Sequence, residues 1–496
     1  MRGALSKPSA SEFGRPRCGW HAGIGVVVLL GMACTSRADI PPPRQPLVLT
    51  PPESFREVAP ELPPLRPITV PVVQRSQLAN GLEVLVVEDH RSPLVEISYV
   101  SRRAGRYTVE SRRGLPLLVL GLLADQLGHD AGAVVLTEAG GLAVSTLAED
   151  YEEVLEDLAR VLIHPDYNEA RVLRARDRRA TYVHSISSSA AAAARDQARR
   201  RVYGDRHPAG APASGVASAI EELRFADVLR FHLHRLSAAD AAIIVCGDVD
   251  VAEVRATVER RFGRWQPRPP PERDRPTAPV ALEQNGQVDI LDRASEQAHI
   301  AIAYPAPPDA DHEDQLRIGL LTNILVGGMT SRLTAPLREH EGLTYGVQTG
   351  VEWRHDGAVW YIEAAVDLSR VGRAVELLLR EQRRLAQEPV TEAELASAKV
   401  GYREGLARRV ESVGAVVFLA IESYVLRRTV DAIVRRDAEL AAVSVEDLQA
   451  TAARLLSRDP AVAVAGPVDE LRGPLQDVTS GVVMEVVDES RALRAQ

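Results

Sequence analysis

Among the residues able to bind a transition metal, this 496-residue chain has 12 histidines and 3 cysteines, and their spacing decides what chemistry they could do. His232 and His234 in "FHLHRL" stand two residues apart, a spacing seen in metal-binding pairs, but they lead into the apolar run "AAIIVCGDVD" and a structural role is expected of them. His207 and Pro208 read as a turn; His340 and Glu341 in "LREHEGLTYGV" either line a cavity or sit in a solvated loop, the latter being the plainer reading. A hydrolase that holds zinc on one helix needs two histidines at i and i+4, which share a helical face, and a glutamate beside them to activate the metal-bound water. Neither His-Glu-x-x-His nor His-x-x-Glu-His occurs anywhere in the sequence. Cys18, Cys34 and Cys246 lack metal-ligand spacing and cannot build a disulfide framework. The glycine pairs at 140–141 and 327–328 permit tight turns, and nothing around them suggests a phosphate cradle. No nucleophile and base are grouped.

The most informative stretch is "SRRGLPLLVLGLLADQLG", residues 111–128, where the ten residues between Gly114 and Asp125 carry no charge and no side-chain hydrogen-bonding group. Either this is an ordinary buried helix, or it is a helix from which polar chemistry has been lost.

The rest of the chain bounds the answer. With 45% hydrophobic residues and a formal charge of -9, it suits two or three globular domains and offers no basic footprint for nucleic acid. Arg15 and Arg17 precede "GIGVVVLLGMA", long enough for a signal-peptide core and too short to span a bilayer as a mature helix. The run ends at Cys34, so residues 1–33 read as an export signal. Cys34 is then either the acylated cysteine of a bacterial lipoprotein or a bystander to a plain secretory cut near Ala33 or Ala38. The proline-rich residues 34–71 suit an extended tether between a membrane anchor and the folded body.

Beyond the tether, strand-like "GLEVLVVED" and "LVEISYVS", the apolar segment, the strand "GGLAVSTLAED", two amphipathic helices and the closing "AAIIVCGDVD" and "VAEVRATVERRFGRW" make a first domain, residues 72–266. A proline-rich linker, 267–284, follows, then a second domain, 285–475, and a tail, 476–496. The second domain repeats the first: "LRIGLLTNILVGG" echoes "PLLVLGLLADQLG", and "AVAVAGPVD" echoes "IIVCGDVD". The fold expected is α+β, two similar domains, each a mainly antiparallel sheet packed with helices.

This layout resembles the insulinase or pitrilysin metallopeptidase family, most closely its bacterial members similar to mitochondrial processing peptidase. The resemblance covers about residues 75–475 and rests on "LANGLEVLVVEDHRSPLVEI", "HPAG", "FHLHRLSAADAAIIVCGDVD", "SEQAHIAIAYPAP" and, most specifically, "LVGGMTSRLTAPLREHEGLTYGVQTG". It implies two domains facing each other across a chamber, and an inverted His-x-x-Glu-His zinc motif on one helix of the first. Laid on that pattern, Leu117 and Gly121 occupy the histidine positions and Leu120 that of the catalytic glutamate. The third ligand is missing too, since no glutamate lies between Glu169 and Glu221. On this reading the ligand face has been refilled with packing residues. The family's arginine and tyrosine, seven residues apart in the second domain, map to Arg338 and Tyr345, and both are present. Arginine offers a rigid fork of donors and tyrosine a single hydroxyl, the types suited to polarising a peptide carbonyl. The strand "LAVSTL" offers an edge to an extended peptide, the family's way of gripping substrate.

The resemblance therefore implies a half-enzyme with no cofactor of its own. The expected chain is exported and periplasmic, lipid-anchored through Cys34 where the signal is of the lipoprotein kind, binds peptides, and supplies Arg338 and Tyr345 to a homologous partner carrying the intact motif and the zinc. The alternative is a catalytically inactive scaffold or peptide-binding protein of the same fold. An enzyme using another site finds no cluster of groups to support it.

Overall fold

The computed structural model describes residues 68–476 and 484–486, apart from 70, 105–113, 128–132, 137–139, 205–206, 213, 269–287, 308–311, 354–357 and 429–431. The export signal, Cys34, nearly all of the tether, most of the linker and most of the tail lie outside the described residues. Pro67–Gln496 forms one compact unit.

In order, the first half contains β1 (Gln74–Gln77), β2 (Glu83–Glu88), β3 (Leu94–Ser101), α1 (Leu115–Ala124), β4 (Val134–Leu136), β5 (Gly141–Leu147), α2 (Tyr151–Ile163), α3 (Glu169–Ser187), α4 (Ala190–Tyr203), α5 (Ala217–Glu221), α6 (Phe225–Arg235), β6 (Ala241–Gly247) and α7 (Val251–Phe262). The second contains β7 (Val288–Asp292), β8 (Gln297–Ala306), α8 (His312–Val326), β9 (Val347–Glu352), β10 (Ala358–Asp367), α9 (Val371–Gln387), α10 (Glu392–Arg408), α11 (Val413–Val425), α12 (Ala432–Leu440), α13 (Val445–Leu455), β11 (Ala461–Gly466), α14 (Val468–Gln476) and β12 (Met484–Val486).

The duplication is visible in strand order. One sheet runs β1-β2-β6-β3-β5-β4 and the other β12-β7-β11-β8-β10-β9. Beyond the outermost strand of each, the pairings correspond: β2 and β6 are parallel like β7 and β11, and the remaining pairs are antiparallel. The fold is thus α+β, in two similar halves.

Local sequence accounts for many of the elements. In α2 the first-turn acids Glu152 and Glu153 complement the helix dipole, and Pro165 follows its end. Asn168 caps α3 by accepting from the Arg171 amide, and Thr391 and Glu394 close a capping box on α10. At Gly141 a Cβ would stand 2.0 Å from the Tyr99 carbonyl oxygen, so only glycine lets β5 lie against β3 there.

The central strands β6 and β11 are buried along their whole length, because both faces of each sheet are covered. Alternation divides their residues between two cores. Ile243 and Val245 face a core formed with the first half's own helices, whereas Ala242, Ile244 and Cys246 pack with Val413, Val416, Val417, Ala420 and Tyr424 of α11. Likewise Val462 and Val464 belong to the second half's own core, whereas Ala461, Ala463 and Ala465 pack with Ala190, Ala194 and Ala198 of α4. Each half therefore lends one helix to the other's sheet. The alanine run of α4 favours the helix, and small side chains on both surfaces let it approach the strands closely.

Charge locks the exchange. Asp289 on β7, 1% exposed, accepts from Arg201 Nε and Nη2 of α4, both at 2.6 Å, and from Gln197 Nε2 at 2.6 Å. On the other side Arg102, just after β3, donates to the Tyr424 carbonyl at 3.0 and 2.9 Å and stacks 3.7 Å above its ring. Between α4 and strands β8–β10 lies a cavity of about 770 Å³, lined from both halves by residues that include Arg195, Arg199, Gln348, Glu352, Tyr361 and Glu363. Its charged groups are paired, Arg195 with Glu363 at 2.5 Å and Arg199 with Asp196 and Glu352. No helix among the described residues is long and apolar enough to cross a membrane.

Candidate functional site

The apolar stretch of 111–128 is helix α1, opened by Gly114 in the left-handed region (φ 98°) and by Pro116 in the first turn. Leu115, Leu118, Val119, Leu120, Leu122 and Leu123 are buried in the first half's core. The three positions that the resemblance singled out part company. Leu120 is wholly buried in that core; Leu117 is 9% exposed; Gly121, one turn on, is partly exposed, with nothing within 4 Å of where its Cβ would be. The i,i+4 stripe is present, but it was not refilled throughout: position 121 is left open, because glycine has no side chain to pack. None of the three side chains carries a donor atom, so the helix does not fit zinc. Among the described residues, no three His, Cys, Asp or Glu side chains are grouped closely enough to hold a metal ion.

In the second half the structure brings Arg338 and Tyr345 together. Arg338 lies in a short wide-turned helix, Ala335–His340, whose i to i+5 bonding continues from the Glu341 amide to the Pro336 carbonyl at 3.2 Å. Tyr345 stands two residues before β9, the edge strand of its sheet. The Arg338 guanidinium carbon stands 5.1 Å from the centre of the Tyr345 ring, within reach of a cation–π contact. Tyr345 is 90% exposed, so the pair stands open to solvent.

Sequence reasoning did not find what holds this pair. Glu341 is no free loop residue: its carboxylate accepts from Arg373 Nη2 at 2.6 Å and Nε at 3.0 Å, which holds its pKa below the usual carboxylate range. Arg370 donates to the Glu341 carbonyl at 3.0 Å. The only signal available was the pattern "LSRVGR" opening a helix, and nothing local ties it to residue 341.

The histidines have structural places. In α6 His232 and His234 are two residues apart on a helix, so they point to different sides and cannot share a metal. His232 is buried, meets the Tyr167 hydroxyl at 3.0 Å through Nδ1 and bonds the Leu162 backbone; burial, with a smaller push from Arg268, lowers its pKa to about 4. Unfolded, it titrates near 6.5, so its contribution is present above that pH and is lost as pH falls toward 4. Stability is expected to fall by roughly 3 kcal/mol across that window from this group, and His232→Phe should flatten that part of the acid limb in urea titrations at stepped pH. His207 is buried, stacked on Tyr203 with ring centres 5.0 Å apart.

The edge offered by "LAVSTL" is half used. β4 pairs with Gly141, Leu142 and Ala143, and the β4-side edge of Val144–Leu147 has no strand beside it among the described residues.

Comparison with known proteins places the arrangement. The family model described as "Peptidase M16 inactive domain" matches residues 222–402, which include Arg338 and Tyr345. An uncharacterised zinc protease of Mycobacterium bovis is 28% identical over 273 residues, a match spanning 54% of this chain and 60% of that relative. An uncharacterised zinc protease of Bacillus subtilis is 22% identical over 347 residues, covering 69% of this chain and 82% of that one. Among solved structures, a peptidase M16 inactive domain from Pseudomonas fluorescens superposes with a TM-score of 0.71 at 20% identity, covering 80% of this chain and 98% of its own. A protease from Helicobacter pylori gives the same TM-score of 0.71 at 18% identity, with 80% and 100% covered. The family model over residues 222–402, these relatives and the doubled sheet agree: the chain is similar to the M16, insulinase- and pitrilysin-like, peptidases in sequence and in fold, and the inverted zinc motif is absent from its sequence.

Proposed function

We propose that this chain is the non-catalytic subunit of a two-subunit zinc metalloendopeptidase, which binds peptide and lends Arg338 and Tyr345 to the zinc site of a homologous partner. The observation that carries the reading is an asymmetry between the halves. Helix α1 has no metal ligand at Leu117, Leu120 and Gly121, while Arg338 and Tyr345 stay paired and exposed on a braced turn. A guanidinium and a phenol side by side can both donate to one carbonyl oxygen as it gains negative charge during attack. The β-edge of Val144–Leu147, which has no strand beside it on the β4 side among the described residues, would hold the peptide extended. In this reading the chain is exported to the periplasm and tethered there, through Cys34 if the signal is of the lipoprotein kind.

Zinc content and peptide cleavage test it, measured on the purified chain, on a homologous chain with an intact His-x-x-Glu-His, and on the two mixed. Cleavage is expected from the mixture, with zinc retained by the partner. Stoichiometric zinc and unaided cleavage by this chain would overturn the proposal; a mixture no more active than the partner alone would favour the scaffold reading.

A further inference from the structure

We infer that Arg370 and Arg373 are positioning residues for the Arg338–Tyr345 pair, acting by clamping the turn that joins them; the inference rests on the reading of that pair given above. Neither member is held firmly through its own tip. Tyr345 is exposed, and Arg338 Nε meets Glu339 only at 3.4 Å. Their relative placement therefore depends on residues 339–344.

That turn is bound on three sides. Backbone bonds run from the Gly342 amide to the Arg338 carbonyl at 3.1 Å and from the Leu343 amide to the Leu337 carbonyl at 2.7 Å, both leucines being buried. Gly342 reverses the chain in the left-handed region at φ 55°. On the strand side, Thr344 Oγ1 reaches the Ala365 carbonyl of β10 at 2.8 Å. On the third side stand the two arginines at the start of α9. Arg373 grips Glu341 with a fork, Nε to Oε2 at 3.0 Å and Nη2 to Oε1 at 2.6 Å, and is itself steadied by Glu376 at 2.7 Å through Nη1. Arg370 reaches the carbonyls of Glu341 at 3.0 Å and Gly342 at 3.5 Å. Behind them Val371, Ala374, Val375, Leu377 and Leu378 root the helix in the core, so the clamp starts from a rigid body.

The ion pair is partly exposed, and such pairs add little to global stability. Its loss should therefore show in where Tyr345 sits and not in whether the protein folds. The test uses the full-length chain with isotope-labelled tyrosine, in Arg373→Ala, Glu341→Ala, the double variant, Arg370→Ala and, as reference, Arg338→Ala. The clamp predicts that the Tyr345 ring resonances of the Arg373, Glu341 and Arg370 variants move from wild type toward those of Arg338→Ala, while thermal unfolding stays near wild type. It also predicts that the double variant differs from wild type no more than either single one, as members of one contact should. In the pair with an intact-motif partner, kcat should fall about 10- to 100-fold at little-changed KM, the cost of a small misplacement. If Arg338→Ala lowers kcat while Arg373→Ala and Arg370→Ala leave ring signal and kcat at wild type, the clamp is wrong. If Arg338→Ala leaves kcat unchanged, the reading of the pair fails instead, and the ring signal alone decides the clamp: movement upholds it, constancy overturns it.

Discussion

Tyr345→Phe and Arg338→Ala should each lower kcat of the reconstituted pair by about 10²- to 10³-fold, the scale on which removing one preorganised donor acts. Because the interaction strengthens as charge develops on the carbonyl, kcat and kcat/KM should fall together, with KM nearly constant. Tyr345→Phe is the sharper test. It removes one hydroxyl and leaves the ring over the Arg338 guanidinium, so surface, packing and the cation–π contact survive. Arg338→Lys should rescue little, since an ammonium lacks the planar fork. Steady-state kinetics on a single peptide decide the matter, and unchanged rates in both variants would leave the chain as a scaffold.

The largest stability effect is expected at the seam between the halves. Arg201→Ala strips the nearly inaccessible Asp289 carboxylate of its two-pronged partner, leaving Gln197 to satisfy a buried charge. Removing one member of a buried pair typically costs about 3–5 kcal/mol, because the remaining charge has lost both water and counter-ion. Denaturation in urea should show such a drop with little change in slope. The half-exposed Arg160–Asp157 pair on α2 serves as the contrast, and Arg160→Ala should stay within about 1 kcal/mol of wild type. A loss of similar small size for Arg201→Ala would mean that α4 is held by its alanines alone. Replacing Arg201 and Asp289 together by Met and Leu should recover most of the loss, since no orphan charge then remains.

Much of this molecule is legible in one dimension. The missing zinc ligands are a matter of residue type at three positions of one helix, and no folding can supply donors that Leu117, Leu120 and Gly121 lack. The continuous apolar run "AAIIVCG", the amphipathic run of α2 and the echo of "IIVCGDVD" in "AVAVAGPVD" depend only on neighbours along the chain, so strands, helices and the doubled plan could be read from them. The positions of Arg338 and Tyr345 came with their motif.

Other features needed the third dimension. Nothing in "AAAAARDQARRRVY" says that this helix covers the sheet of the other half, or that Arg201 meets Asp289, 88 residues away. Which surface covers which is settled by the match of small residues on α4 to small residues on β8 and β11, and each surface is blind to the other in the sequence. The same holds for the brace from Arg370 and Arg373 to residues 341 and 342, and for the divided fate of α1, where Leu120 is buried and Gly121 is left open. Period and propensity act over a few residues and set the elements; complementarity between distant faces sets how they meet, and it exists only once the chain has folded.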